Sequence, residues 1–332
     1  MNLMNAAVRD NFIRSQLQER QRSLSAAIGQ YGQTESLVRL LQQVDAALER
    51  MNAGRYGLCE VCHDGIESDR LLADPLITLC LDHLTPQQQR SLEEDIELAA
   101  KIQRKLLPPH RFSAAGWEIF YHYEPAGSVS GDYCDFISSE SGDGSLYILL
   151  GDVSGKGIAA SMLMAHLHAL FRGLISAGTT LENLAQRANR IFCESTISTH
   201  YATLVLARAD EDGSVIICNS GHPAPLLIHA SGLHALDATG LPIGMFCELE
   251  YATQKIHLQL GDALLLYTDG LTEARDSSGN EYGEDRLKQL ASRVRNLPPQ
   301  DLVTVCIEDL RSFRGSALVL DDLTVMGVRR SH

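Results

Sequence analysis

Four aspartates border apolar, strand-like segments of this 332-residue chain. They are Asp132 in SGDYCDF, Asp152 in LYILLGDVSGKG, Asp269 in ALLLYTDG and Asp321 in ALVLDDLTV. A carboxylate buried without a partner is costly, and a shared divalent cation is the common remedy. Four carboxylates roughly balance two such ions, and hard oxygen ligands favour Mg²⁺ or Mn²⁺ over zinc. We therefore predict a metal centre that these aspartates share.

A second candidate metal site lies nearer the N-terminus. The pairs Cys59-Glu-Val-Cys62 and Cys80-Leu-Asp-His83 each have two residues between their ligands, so two tight turns present four ligands to a structural zinc ion. His63 is an alternative fourth ligand, but it directly follows Cys62 and has the poorer geometry. The other cysteines are scattered among apolar neighbours and are predicted to be buried reduced thiols: Cys134, Cys193, Cys218, Cys247 and Cys306.

The composition restricts the classes of partner. The chain has 28 basic and 42 acidic residues, a net charge of -14, which argues against a nucleic acid or a membrane surface as the main partner. No apolar stretch approaches the roughly 20 residues of a membrane helix, and the first residues do not resemble a signal peptide. We expect a cytoplasmic protein, and its length favours two domains.

The N-terminal third is predicted to be mainly helical. Residues 1–50 form two helical arms joined at IGQYGQ, which predicts an antiparallel hairpin. A further helix should begin at Pro86, capped by Thr85, and end at Leu107. One face of this helix is a short heptad seam formed by Leu92, Ile96, Ala99, Gln103 and Leu106. The seam fits a homodimer or packing on the domain that follows it in the same chain, and the sequence leaves both open.

From Trp117 onward the pattern changes to short apolar runs separated by Gly and Asp. The predicted strands are WEIFYHY, LYILLGDV, ATLVLARA, SVIICNS, PLLIHA, ALLLYTD and ALVLDDLTVMGV. The predicted helices are about 158–176, 181–195, 284–295 and 299–313. The Asp-Gly turn at residues 212 and 213 indicates a hairpin, hence antiparallel pairing and an α+β layered fold.

The first cysteine segment resembles a known zinc finger. RYGLCEVCHDGIESDRLLADPLITLCLDH is similar to the finger of DksA/TraR proteins in its Tyr-Gly, Gly-Ile, Arg-Leu and Ala-x-Pro positions. His83 departs from the usual fourth cysteine, a change that zinc tolerates. In that family a helical hairpin with acidic residues at its tip reaches into RNA polymerase, whereas the tip here has no acid before Glu35. The resemblance therefore implies a sensing or dimerisation module.

The C-terminal two thirds resemble the SpoIIE/RsbU branch of the metal-dependent protein phosphatases (PPM family). SGDYCDF, GDVSGKG, NSGHPAPLL, LPIGM, YTDGLTEARDSSGNEYG and DDLT occur in the expected order over about residues 95–330. The resemblance implies an αββα sandwich, two antiparallel sheets flanked by helices, with two Mn²⁺ or Mg²⁺ ions in a cleft. The implied organisation is a regulatory hairpin and zinc finger in 1–85, a linker helix in 86–109 and the phosphatase domain in 110–332.

The resemblance also implies the role of each ligand. Asp152 bridges both ions and Val153 offers its carbonyl, Asp269 and Asp321 complete the second ion, and Asp132 contributes directly or through water. Asp322 either supports Asp321 or binds a weaker third ion. His222 in SGHPAP is a candidate general acid, but the adjacent prolines favour a structural turn.

The function implied is a serine/threonine phosphoprotein phosphatase in which a water activated by two metals attacks phosphorus. Relatives in this branch act on anti-anti-sigma proteins, so such a protein is the expected substrate, with regulation by the N-terminal zinc-finger module. The alternative is a transcription regulator that binds RNA polymerase and uses the phosphatase-like domain as a scaffold.

Overall fold

The computed structural model describes the chain apart from residues 1–5, 32–34, 68–69, 72–73, 85, 140–143, 177–178, 197–199 and 332. The chain divides into two compact units, Met1–Glu94 and Asp95–His332. The boundary falls within a helix, α3, which spans Pro86–Leu106. The predicted cap of this helix, Thr85, lies outside the described residues.

Two antiparallel helices form most of the first unit. They are α1 (Ala6–Tyr31) and α2 (Glu35–Asn52), and Gly29 lies within α1. The antiparallel direction follows from two side-chain hydrogen bonds, Arg14 to Asn52 at 2.7 Å and Gln21 to Asp45 at 2.6 Å. Their common core contains Ile13, Leu17, Leu24, Val44, Ala47, Leu48 and Met51, with Leu37, Leu40 and Leu41 partly buried.

Two antiparallel sheets form the centre of the second unit in the described part of the chain. One sheet has the order β1-β2-β11-β10-β7-β8 and the other β3-β4-β5-β6-β9. The strands are β1 (Arg111–Ala114), β2 (Trp117–Glu124), β3 (Asp132–Ser138), β4 (Leu146–Val153), β5 (Ala202–Ala209), β6 (Ser214–Ser220), β7 (Leu226–His229), β8 (Gly232–Ala235), β9 (Gln254–His257), β10 (Ala263–Tyr267) and β11 (Leu323–Arg330).

Helices cover the outer face of each sheet. They are α4 (Gly157–Ile175), α5 (Leu181–Ser195), α6 (Asp269–Thr272), α7 (Glu284–Arg293) and α8 (Pro299–Arg314). One core joins the β3–β4 sheet to α4 and α5, a second lies between the sheets, and a third joins the β10–β11 sheet to α7 and α8. Each sheet thus buries both faces, which confirms the αββα sandwich.

Two expectations about individual segments were wrong. The run ALVLDDLTVMGV was predicted as one strand, but β11 begins at Leu323, and the side chains of Leu318 and Leu320 are 80% and 62% exposed. The sequence was also said to lack a stretch that could cross a membrane, yet α4 is long and apolar enough to do so by length and composition. Its buried residues pack in the core against β3 and β4, which explains the apolar composition.

Candidate metal centre

The two sheets bring the predicted ligands together at one end of the sandwich. Asp132 begins β3 and pairs directly with Asp152 near the end of β4. Side chains alternate along a strand, and Cys134 and Leu150 on these strands face the core between the sheets. Asp132 lies two residues before Cys134, and Asp152 lies two residues after Leu150. Both aspartate side chains therefore point to the same face of the sheet as Cys134 and Leu150. Neither carboxylate is an ordinary turn residue.

Asp132 is fixed by the opposite sheet. Its Oδ2 accepts hydrogen bonds from the hydroxyls of Thr268 at 3.1 Å and Thr324 at 2.6 Å. Its side chain is 1% exposed, and its Oδ1 has no hydrogen-bond partner within the described part of the chain. Burial and the charge of Asp152 raise the pKa of Asp132 well above its ordinary value. A bound cation would satisfy such a buried carboxylate oxygen, so Asp132 fits the role of a metal ligand.

Burial and neighbouring carboxylates raise the pKa values of Asp152 and Asp269. Burial and the charges of Asp269 and Asp321 raise the pKa of Asp152 to about 8. Burial and the charge of Asp321 likewise raise the pKa of Asp269 to about 6. Asp269 is the first residue of the short helix α6, directly after β10. These shifts show that the protein alone does not neutralise the charges that the fold brings together.

Asp321 and Asp322 have different surroundings. Asp321 contacts the ammonium of Lys156 at 2.9 Å, and its side chain is 44% exposed. Asp322 is buried, and its two oxygens accept main-chain hydrogen bonds from Ala126 at 2.7 Å and Gly131 at 2.8 Å. Asp322 thereby fixes the loop before Asp132, which favours the supporting role for it over binding of a third ion.

Close backbone approach brings these loops together. The Val153 carbonyl oxygen would lie 3.0 Å from a Cβ on Gly131, so this position leaves little space for a side chain. At Gly270, a Cβ would overlap the Asp322 carbonyl oxygen. Val153 is the last residue of β4, and its N–H donates to the Gly131 carbonyl at 3.3 Å. Glycine is therefore required at Gly270 by packing alone.

The donor set fits divalent cations that prefer oxygen. The four carboxylates interact electrostatically, and one of their buried oxygens, Asp132 Oδ1, has no hydrogen-bond partner among the described residues. Their ligand atoms do not all lie within 4.8 Å of one another. The four residues are Asp132, Asp152, Asp269 and Asp321. A centre with two ions spreads its ligands over a longer span than one ion requires, because the ions themselves are about 3.5–4 Å apart. Carboxylate oxygens match Mg²⁺ and Mn²⁺.

The predicted zinc ligands do form such a compact group. Ligand atoms of Cys59, Cys62, Cys80 and His83 all lie within 4.8 Å of one another. The Sγ atoms of Cys62 and Cys80 are 3.8 Å apart, the separation expected for two zinc–sulfur bonds of about 2.3 Å at a tetrahedral angle. His83 Nδ1 lies 3.1 Å from Cys80 Sγ, so His83 is the fourth member. His63 is exposed, has φ 62° and is not part of the group.

His222 is buried behind the centre. Its ring Nδ1 lies 2.8 Å from the Thr203 hydroxyl oxygen. Its main-chain N–H donates a hydrogen bond to Asn219 Oδ1 at 2.8 Å. Thr203 is the β5 partner of Asp152 in the strand register. Burial lowers the pKa of His222 to about 3, so the ring is neutral. This environment favours the structural role expected from the neighbouring prolines.

Sequence reasoning missed several residues that position the ligands. Thr268 and Thr324 hold Asp132, and their only signal was that they belong to the TDG and DDLT motifs. The buried Asp135 forms a bidentate ion pair with the partly exposed Arg172 of α4, at 2.9 and 2.7 Å. Gln103 was predicted to belong to a heptad seam. In the structure, its side-chain amide instead forms hydrogen bonds with both the main-chain N–H and the carbonyl of Ser130.

Family profiles match both parts of the chain. The profile described as Stage II sporulation protein E (SpoIIE) matches residues 142–331, more than half of the chain. The chain belongs to the SpoIIE family. It therefore carries a SpoIIE-type phosphatase domain. The profile described as prokaryotic dksA/traR C4-type zinc finger matches residues 54–82, a range that contains the three cysteine ligands and ends just before His83.

Individual relatives agree with membership of the SpoIIE family. The chain is 26% identical to Phosphoserine phosphatase RsbU of Bacillus subtilis, over 73% of this chain and 72% of that protein. It is 26% identical to Protein IcfG of Synechocystis sp., over 71% of this chain but 42% of that protein. The crystal structure of the RsbU and RsbW domains of a Mycobacterium tuberculosis protein is 28% identical, with a TM-score of 0.55 over 65% of this chain and 61% of that chain.

Proposed function

We propose that the protein is a metal-dependent phosphatase of phosphoserine and phosphothreonine in a regulatory protein. The observation that carries the proposal is the meeting of Asp132, Asp152, Asp269 and Asp321 across two sheets, with carboxyl pKa values raised by burial and mutual repulsion. Membership of the SpoIIE family and the name phosphoserine phosphatase of the relative RsbU support the same activity.

In this proposal each side chain has a defined task. Asp152, together with the Val153 carbonyl, would hold two Mn²⁺ or Mg²⁺ ions. Asp269 and Asp321 would serve as further ligands, and Asp132 would contribute directly or through water. When bound, such a pair of ions lowers the pKa of a shared water and neutralises phosphoryl oxygens.

Residues around the ligands prepare the site for its substrate. Thr268 and Thr324 hold Asp132 in one orientation through its Oδ2. The ammonium of Lys156, whose side chain is 60% exposed, lies beside Asp321 and supplies positive charge for an anionic phosphoryl group. Pre-organisation of this kind means that little rearrangement is needed when substrate binds.

A small pocket lies beside Asp321. Its volume is about 150 Å³, and its lining includes Gly270, Arg275, Arg314, Leu318 and Asp321. Arginine and exposed leucine side chains suit a peptide that carries both negative charge and an apolar residue. We propose an anti-anti-sigma factor as the substrate, because the SpoIIE/RsbU branch that the motifs resemble acts on such proteins.

The N-terminal module is proposed to regulate this activity in the cytoplasm. Its cluster of three cysteines and one histidine would hold a zinc ion with a structural role. A homodimer formed through the N-terminal region or the linker helix remains part of the proposal. RNA polymerase binding is not part of the proposal, because the sequence IGQYGQT that precedes Glu35 contains no acidic residue.

The proposal is tested by turnover of a phosphoserine peptide by the full chain at increasing Mn²⁺ concentration. Asp152→Asn should lower kcat at least about 100-fold, because it removes the charge that bridges the ions. The control is Glu194→Gln on α5, whose side chain is 68% exposed, and it should retain activity. No turnover by the unaltered chain in Mn²⁺ or Mg²⁺ would refute the enzymatic proposal. Equal turnover of a small phosphate ester and a phosphoprotein would refute the assignment of a protein substrate.

A further inference from the structure

Two cysteines outside the zinc site are paired. Cys193 near the end of α5 and Cys247, 54 residues further along, form a disulfide with their Cα atoms 5.5 Å apart. This Cα separation is typical of native disulfides. The sequence had predicted both as buried reduced thiols, because each stands alone among apolar neighbours. That expectation holds for Cys134, Cys218 and Cys306, which are buried and free, and it is wrong for the pair.

The paired cysteines are accessible from solvent. Cys247 is exposed and Cys193 is partly buried. Small oxidants and reductants reach such a pair, whereas a buried thiol is inert. In a reducing compartment, an accessible disulfide is usually transient and responds to the redox state.

The loop containing Cys247 is held near α5 without the sulfur atoms. Asn189 of α5 donates from its side-chain amide to the carbonyls of Phe246 at 2.9 Å and Cys247 at 3.1 Å. Its Oδ1 accepts from the N–H of Gly244 at 2.8 Å. Since these bonds do not need the disulfide, reduced thiols would remain close, and the bond would form with little rearrangement.

The same loop borders the metal-binding strand. Ile243 exchanges two main-chain hydrogen bonds of 2.8 Å with Ala202, and Ala202 is the partner of Val153 in the β4–β5 register. Leu241 and Phe246 in the loop are 49% and 55% exposed. A restraint on this loop thus acts on a surface beside the strand that carries Asp152.

We propose that Cys193 and Cys247 are a reversible oxidation site that fastens the loop 241–247 to α5. With hydrogen peroxide, two thiols give up two protons and two electrons, a sulfur–sulfur bond forms, and the peroxide is reduced to two waters. A dithiol reverses the step by thiol–disulfide exchange and is itself oxidised to a disulfide. The oxidised loop is fixed by a covalent bond, and the reduced loop is held by its hydrogen bonds to Asn189 and Ala202.

The chemistry is tested on the zinc-loaded full chain treated with hydrogen peroxide and then with dithiothreitol. Peptide mapping after alkylation should show a linked Cys193–Cys247 peptide that disappears on reduction, while Cys134, Cys218 and Cys306 stay unmodified. Zinc release is measured in parallel, because oxidation of the zinc thiolates is a separate reaction. The proposal is overturned if both cysteines are alkylated after oxidation, or if the zinc site or the buried cysteines react first.

The effect on the loop is tested by chymotrypsin, which cleaves after exposed aromatic residues. Cleavage after Phe246 should be several-fold slower in the oxidised chain than in the reduced chain. Cys193→Ser and Cys247→Ser should each be cleaved at the faster rate in both conditions, and both variants serve because either could affect folding. Equal cleavage of the oxidised and reduced unaltered chain contradicts the fastening role. This readout does not depend on phosphatase activity.

Discussion

At the scale of single residues, the aspartates bring more negative charge together than their neighbours neutralise. Lys156 is the cation beside Asp321, whereas Asp132 is held by two neutral hydroxyl groups. Protonation is one remedy and cation binding is the other. The metal-free centre should therefore lower the stability of the fold at neutral pH, and relief of this cost would favour the binding of divalent ions.

Replacing Asp152 should stabilise the metal-free protein. Its pKa is raised to about 8, so the folded state holds a proton that the unfolded chain loses near pH 4, and stability falls as pH rises between these values. Asp152→Asn should remove this dependence and raise the free energy of unfolding at pH 8 by up to a few kcal/mol. Urea unfolding of the metal-free protein at pH 5 and pH 8 measures it. A lower stability of the variant at pH 8 would contradict the electrostatic account.

His222 should make the protein less stable at low pH, whereas Asp152 makes the metal-free protein less stable at high pH. Burial lowers its pKa to about 3, so the unfolded chain takes up a proton below about pH 6.5 that the folded chain rejects. Its stabilising contribution is full above pH 6.5 and is lost as pH falls toward 3. His222→Asn should reduce the slope of unfolding free energy against pH by about 1.4 kcal/mol per pH unit near pH 5. The exposed His257→Asn is the control, and an equal change in both variants would disprove the assignment.

At the scale of elements, α3 contacts the loop that positions Asp132. The buried amide of Gln103 accepts from the Ser130 N–H at 3.0 Å and donates to the Ser130 carbonyl at 2.6 Å. The Ser130 hydroxyl in turn accepts from the Asp132 N–H at 3.0 Å. The exposed Leu98 and Ile102 lie elsewhere on the helix. Packing on the same chain therefore accounts for Gln103, and a homodimer remains a prediction.

Loss of the Gln103 amide should weaken both the fold and the metal site. Gln103→Ala leaves two buried main-chain groups of Ser130 unpaired and should cost roughly 1–3 kcal/mol in unfolding free energy. Mn²⁺ affinity should fall with it, because the loop before Asp132 is loosened. Denaturant unfolding and Mn²⁺ titration measure the two effects. Lys101→Ala, at a side chain 68% exposed on the same helix, should change neither; equal metal affinity in both variants would exclude the coupling.

Gly270 should tolerate no side chain. A Cβ there would overlap the Asp322 carbonyl oxygen, so Gly270→Ala must displace either Asp269 or the Asp321–Asp322 loop. We expect a loss of several kcal/mol in stability and of Mn²⁺-dependent turnover. Thermal unfolding and the peptide assay measure both. Gly173→Ala is the matched control, since a Cβ at this helical position meets nothing within 4 Å and should be neutral or stabilising.

The sequence predicted most elements because alternating and helical apolar patterns mark the cores. Strands β2, β4, β5 and β6 and the four long helices of the second unit lie where the patterns placed them. β3 was missed because both of its faces are largely buried and Asp132 and Asp135 interrupt the apolar run. Two features could not be predicted in this way: the threonines that contact Asp132, and the pairing of Cys193 with Cys247. Both depend on contacts between segments that are distant in sequence, which local patterns do not report.

At the scale of the whole molecule, the zinc finger and the phosphatase domain belong to separate compact units. Removing zinc should therefore unfold the finger and spare the second unit. Cys62→Ser should lose zinc, as measured by elemental analysis, and become sensitive to trypsin at Arg55 and Arg70. Mn²⁺ binding by the second unit should persist. Simultaneous loss of Mn²⁺ binding would show that the two sites are not independent.

The central claim is that four aspartates form a centre for two divalent ions. Equilibrium dialysis of the full chain against Mn²⁺ at pH 7.5, with zinc counted separately, tests it most directly. We expect about two Mn²⁺ per chain, accompanied by proton release because the raised pKa values of Asp132 and Asp152 fall when the ions bind. Glu194→Gln should behave identically, and Asp152→Asn should bind fewer ions and release fewer protons. Absence of bound Mn²⁺, or equal binding by Asp152→Asn, would contradict the account.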